Sequence, residues 1–166
     1  MTKQAGGKQG GVIRTLKIFV SAMLCSGFFN VAAFADEFGT EEEARALLQR
    51  AIAILRVDKP RALEMFTSGD GGLIQKDLYV FCFSRDGTVT AHPGSVGVNL
   101  FENGATDLQG NPLGQALWDA AQPGGSGEVT YKTWRPTTGS PKEFKKTTFV
   151  TRIMGQVCGV GYYPPG

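Results

Sequence analysis

The spacing of apolar residues changes once along the chain. Ala44, Leu47, Leu48, Ala51, Ile52 and Leu55 recur every three or four positions, as one stripe of an amphipathic helix, and Arg45, Gln49, Arg50 and Arg56 fall largely outside it. Thr40 and Glu43 have the spacing of a capping box, and Glu41 and Glu42 add negative charge where the helix dipole favours it. Asp58 predicts the cap of a second, shorter helix, with Pro60 tolerated in its first turn and Ala62, Leu63, Met65 and Phe66 as its apolar residues. Ser68-Gly69-Asp70-Gly71-Gly72 then breaks the chain.

Beyond that break the period falls to two. Leu78 to Phe83 is apolar on both faces, as a central strand covered on both sides requires. Arg85-Asp86-Gly87-Thr88 signals a hairpin into a second strand, Thr88 to His92, which Pro93 ends or confines to an edge. Gly94 to Gly110 reads as a long connecting loop, and Asn111-Pro112 opens a short helix carrying Leu113, Ala116, Leu117 and Ala120. Three strands follow: Glu128 to Trp134, Lys146 to Ile153 and Gln156 to Tyr163, the last two joined by a tight Met154-Gly155 turn. Helices gathered around one antiparallel sheet make an α+β domain.

The first thirty-five residues belong to a different pattern. Lys3, Lys8, Arg14 and Lys17 form a basic head without acids, Ile18 to Phe29 is apolar, and Ala33-Phe34-Ala35 places small residues at a signal-peptidase site. Cleavage after Ala35 is expected, leaving a domain over residues 36–166 that is periplasmic or secreted. An uncleaved anchor and a lipoprotein at Cys25 are the alternatives. All fifteen acidic residues follow Ala35, as do thirteen of the seventeen basic ones. The domain is therefore weakly acidic, and a nucleic-acid surface is not expected.

Two of the three cysteines, Cys82 and Cys158, lie beyond the cleavage site. An even count in an oxidising compartment favours a disulfide; two buried free thiols are the alternative. If their segments are neighbouring strands, the bridge closes a loop of about 77 residues, which the chain-entropy account values near 4 kcal/mol as an upper-end figure.

Several motifs, in order, resemble the single Cache domain. They are Tyr79-Val80-Phe81, Arg85-Asp86-Gly87-Thr88-Val89 and Ala91-His92-Pro93, then Gly97-x-Asn99-Leu100 and Asp107-Leu108-Gln109-Gly110-Asn111-Pro112. Tyr131 with Trp134-Arg135-Pro136, Lys146-x-x-Phe149-Val150 and Gly159-Val160-Gly161-Tyr162-Tyr163 complete the set. The resemblance implies a PAS-like fold, with a long N-terminal helix packed on a five-stranded antiparallel sheet and a small pocket on the other face. It also implies that the first and last strands are neighbours at the sheet centre, bringing Cys82 near Cys158. Family members bind small organic molecules, often short carboxylates, outside a membrane. Phe149 stands where the family usually has tyrosine, which by this resemblance removes a hydroxyl from the pocket. No second apolar span or helical signalling extension follows the domain in this sequence, so a separate membrane receptor or kinase is expected to receive the signal.

Lys146 is the first candidate for a ligand contact: a partly desolvated ammonium holds a carboxylate by a charge-assisted hydrogen bond. His92, the only histidine, offers a donor whose charge depends on pH. Tyr131 offers a hydroxyl and Trp134 an aromatic wall, although their strand parity sends them to opposite faces of a flat strand. For each of these four the alternative is an ordinary structural role. Tyr79, Phe81 and Trp118 are expected to be packing residues. One histidine and two bridged cysteines leave little for a metal site or nucleophilic machinery, so neither cofactor nor catalysis is expected. The expected function is an exported sensory module for a small organic acid. The alternative is a pocketless accessory protein of a membrane sensor.

Overall fold

The computed structural model describes residues 37–102 and 105–165. The basic head, the apolar run, the expected cleavage site at Ala35 and Cys25 lie outside them. Among the described residues, no helix is long and apolar enough to cross a membrane.

Two helices open the domain, α1 (Glu41–Val57) and α2 (Lys59–Ser68). The capping box forms as expected: the Glu43 amide donates to Thr40 Oγ1 and the Thr40 amide to a Glu43 carboxylate oxygen. Asp58 both ends α1 and caps α2, accepting from the Arg61 amide, so the two helices share one corner.

The strands follow as β1 (Ile74–Gln75), β2 (Leu78–Ser84) and β3 (Val89–Ala91). Helix α3 (Leu113–Ala120) precedes β4 (Gln122–Pro123), β5 (Gly127–Trp134), β6 (Glu143–Ile153) and β7 (Gln156–Tyr162). The long strands run β3-β2-β7-β6-β5, all antiparallel. This is the expected five-stranded sheet enlarged to seven by the two-residue segments β1 and β4, which pair with β2 and β6. Neither is long enough to show an alternating pattern in sequence.

The first and last long strands, β2 and β7, are neighbours at the centre. Cys82 faces Cys158 directly in their register, with Cα atoms 4.1 Å apart, and the two form a disulfide. The sheet has a different core on each side. On one, α1 and α2 bury Leu47, Leu48, Leu55 and Phe66 against Leu78, Val80, Cys82, Phe149, Cys158 and Val160. On the other, Phe81, Phe83, Val150 and Val157 meet Leu117 and Ala121 from α3 and the residue after it.

The connection after β3 is more ordered than a plain loop. The Val98 carbonyl accepts from the Val89 amide, the Leu100 amide donates to the Gly87 carbonyl, and Asn99 forms an isolated bridge with Thr88. The Asn99 side-chain amide donates to the Asp86 carbonyl, while its oxygen accepts from the Phe101 and Glu102 amides. Farther on, Asp107 accepts from the Gln109 and Asn111 amides and the Asn111 side chain, shaping the turn that starts α3. The two polar motifs of this segment are thus loop braces. They hold Leu100 and α3 over the second face of the sheet.

Candidate ligand site

Between that face, the 95–100 segment and α3 lies a cavity of about 250 Å³. Alternation decides what enters it. On β6, Phe144, Lys146, Thr148 and Val150 share the parity of the cavity side, and Tyr131 on β5 sits directly across from Lys146. Lys146 is only 4% exposed. Its ammonium donates to the Tyr79 hydroxyl at 3.0 Å and lies 5.0 Å from the Tyr163 ring. Among the described residues no carboxylate forms an ion pair with it. Burial pushes this ammonium below the ordinary lysine range; Tyr131 and Asp77 oppose the shift and Arg135 adds to it. Room for the lysine stem comes from Gly161 on β7, where a Cβ would fall 2.5 Å from Lys146 Cε.

The neighbouring groups are donors. Burial raises the Tyr79 and Tyr131 phenols above the usual tyrosine range, so both keep their protons at neutral pH. The Tyr131 hydroxyl accepts from Thr148 Oγ1 at 3.2 Å, leaving its own hydrogen free. His92 follows β3 and is half-buried, packed edge-on against Tyr79 with ring centroids 4.9 Å apart. Its Nδ1 accepts from the Gly94 amide at 3.0 Å, which puts the neutral ring's proton on Nε2. Burial, and next the charge on Lys146, hold its pKa below the usual histidine range. Tyr163 also lines the cavity, but its hydroxyl is committed to the Trp134 carbonyl at 2.9 Å.

Lys146, His92 and Tyr131 therefore line one cavity, together with Tyr79, which sequence reasoning assigned to packing. Trp134 borders the same cavity but is 58% exposed, on the opposite parity of β5 from Tyr131. Phe149 is a correction. It lies in the helix-side core, 1% exposed, stacked on Tyr162 and beneath the Arg45 guanidinium. Three positions separate it from Lys146, so a strand sends the two to opposite faces. A hydroxyl lost there is not lost from the cavity.

Beside the cavity sits a pair that sequence reasoning missed. Asp77, in the β1–β2 turn, accepts from Arg135 Nε at 2.8 Å and Nη2 at 2.5 Å, and both side chains are buried. The other Asp77 oxygen accepts from the Gly39 amide at 2.7 Å. The guanidinium also stacks 3.5 Å from the Phe38 ring centroid. With its acid already engaged, Asp77 leaves Lys146 without a close counter-charge.

No known family profile matches the sequence, and neither does any curated protein. Solved structures do match. The chain superposes on a methyl-accepting chemotaxis protein from Vibrio parahaemolyticus RIMD 2210633 with a TM-score of 0.58 and 20% identity, over 74% of this chain and 86% of that one. It superposes on the periplasmic sensor domain of a chemotaxis protein with a TM-score of 0.51 and 26% identity, over 75% and 90%. A Cache chemosensory domain that recognises carboxylic acid matches with a TM-score of 0.51 and 19% identity, over 75% and 88%. The fold is that of a Cache domain. In Cache terms, the long helix α1 covers one face of the sheet, and the other face holds the cavity between β2, β5, β6, the 95–100 segment and α3.

Proposed function

We propose that the protein is an exported sensory module that takes a short organic carboxylate into the cavity beside Lys146. On this reading it works on the outer side of a membrane, after cleavage of a signal peptide, and hands the signal to a separate membrane receptor or kinase. The observation that carries it is the unpaired buried ammonium. Taking a charge out of water is unfavourable unless a partner replaces the lost hydration. Here the protein supplies one tyrosine oxygen, and the surrounding free hydrogens of Tyr79, Tyr131 and His92 are donors too. A donor-lined site with one cation and no free acceptor of charge is matched by an anion with two oxygens. The cavity itself argues against the pocketless accessory reading. The matched periplasmic sensor domain and the matched domain that recognises carboxylic acid support a sensory role of this kind.

A ligand of four heavy atoms is limited to about 6 kcal/mol, at about 1.5 kcal/mol per atom, which corresponds to tens of micromolar. Two- to four-carbon carboxylates at millimolar concentration are therefore expected to raise the melting midpoint, while the corresponding primary amides leave it unmoved. Equal shifts from acid and amide, or none from any acid, would remove the carboxylate assignment.

A further inference from the structure

The cavity is chemically divided. Its polar groups gather at one end: Lys146 bonds Tyr79, Tyr79 packs on His92, and Tyr131 sits across the strand pair from Lys146. The rest of the wall is mostly hydrocarbon, from Phe81, Val89, Val98, Leu100, Leu113 and Leu117, with Ser95 and Thr133 as its other polar residues. Several of these residues belong to the second core or pack against it, so the cavity is an opening of that core toward Lys146. Among the described lining residues, Lys146 is the single lysine or arginine, and there is no aspartate or glutamate.

We propose that this site selects monocarboxylates with an apolar tail of about three to five carbons over dicarboxylates. The inference rests on the carboxylate reading above and names the class of acid. The carboxylate occupies the Lys146 end, and the tail displaces water from the wall built by α3 and the 97–100 segment. A second carboxylate reaching that wall would lose its hydration and meet no cation. Size points the same way. One water takes about 30 Å³ of liquid volume, so about 250 Å³ holds roughly eight non-hydrogen atoms. Acetate leaves much of that space unfilled, whereas isovalerate fills most of it and benzoate slightly exceeds it.

Calorimetric titration of the wild-type protein with acetate, propionate, butyrate, isovalerate, benzoate and succinate tests this. Each methylene buried is worth about 0.8 kcal/mol, so affinity is expected to rise about fourfold per carbon from acetate to butyrate. Succinate, which replaces the butyrate methyl by a second carboxylate, is expected to bind at least tenfold more weakly than butyrate. In Leu100→Ala the gain in affinity per carbon should shrink. Affinity that does not change with chain length, or succinate binding as tightly as butyrate, overturns the tail assignment and leaves the carboxylate site standing. Failure of every acid in the series to bind overturns both.

Discussion

Replacing Asp77 with alanine is expected to destabilise the domain by about 3 kcal/mol or more, the usual penalty for removing one member of a buried ion pair. In a domain of this size that lowers the melting midpoint by roughly 10 °C. The reason is what remains behind. Arg135 is buried and always charged, and after the substitution its Nε and Nη2 have lost their acceptor, as has the Gly39 amide. The stacking on Phe38 keeps the guanidinium in place but supplies no hydrogen-bond acceptor. The double variant Asp77→Ala/Arg135→Leu should recover much of the loss, because hydrophobic replacement of a buried pair is often neutral. Thermal melts of both single variants and the double would establish the coupling energy. A single-variant loss below about 1 kcal/mol would mean that Arg135 escapes to solvent and that the pair does not hold the 37–40 segment down.

Removing the disulfide has an effect of similar size by another route. Cys82 and Cys158 pair directly between two central strands that are also held by the ladder from Val80↔Val160 to Ser84↔Gln156. The folded sheet therefore keeps its register without the sulfur bridge. The loss comes from the unfolded chain, where a link between residues 76 apart in sequence no longer restricts the ensemble. Cys82→Ala/Cys158→Ala is expected to be about 4 kcal/mol less stable, as an upper-end value. Its urea dependence should be steeper, since a less restricted unfolded state exposes more surface. An unchanged slope with a loss under about 1 kcal/mol would contradict this account.

Much of the architecture was legible because local signals agreed with one another. The Thr40–Glu43 capping box, the Asp58 cap and the two-faced apolar run of β2 each specify their element from a few neighbouring residues, and all appear as expected. Alternation carried further than the expectation used it. Counting by twos from Lys146 already excludes Phe149 from the cavity, just as parity set Tyr131 apart from Trp134. The Asp77–Arg135 pair was not legible, because nothing local joins an acid in a turn to an arginine 58 positions later. Tyr79 was misjudged for a similar reason. Its ring packs like a core residue, yet its hydroxyl is the only hydrogen-bond partner that the described residues give Lys146. The role of Gly161 is also a long-range matter, since the space it leaves is filled by a side chain from the adjacent strand.

The most direct test concerns Lys146 itself, through the stability of Lys146→Met against wild type across pH, with and without butyrate. Burial lowers the lysine pKa in the folded state, so at neutral pH the charge opposes folding, and methionine of similar length is expected to raise the ligand-free midpoint by several degrees. The unfolded lysine titrates near 10.4. As pH rises through the depressed folded value toward that point, the unfolded chain binds the extra proton and wild-type stability climbs. The two proteins should converge there. His92, Tyr79, Tyr131, Tyr163, Asp77 and Arg135 surround the same site and are present in both proteins, so the difference reports Lys146 together with its charge coupling to His92 and Tyr131. Butyrate should stabilise wild type and leave the variant unmoved. A variant that melts lower than wild type at neutral pH yet still responds to butyrate would show that Lys146 serves the fold and that the anion sits elsewhere.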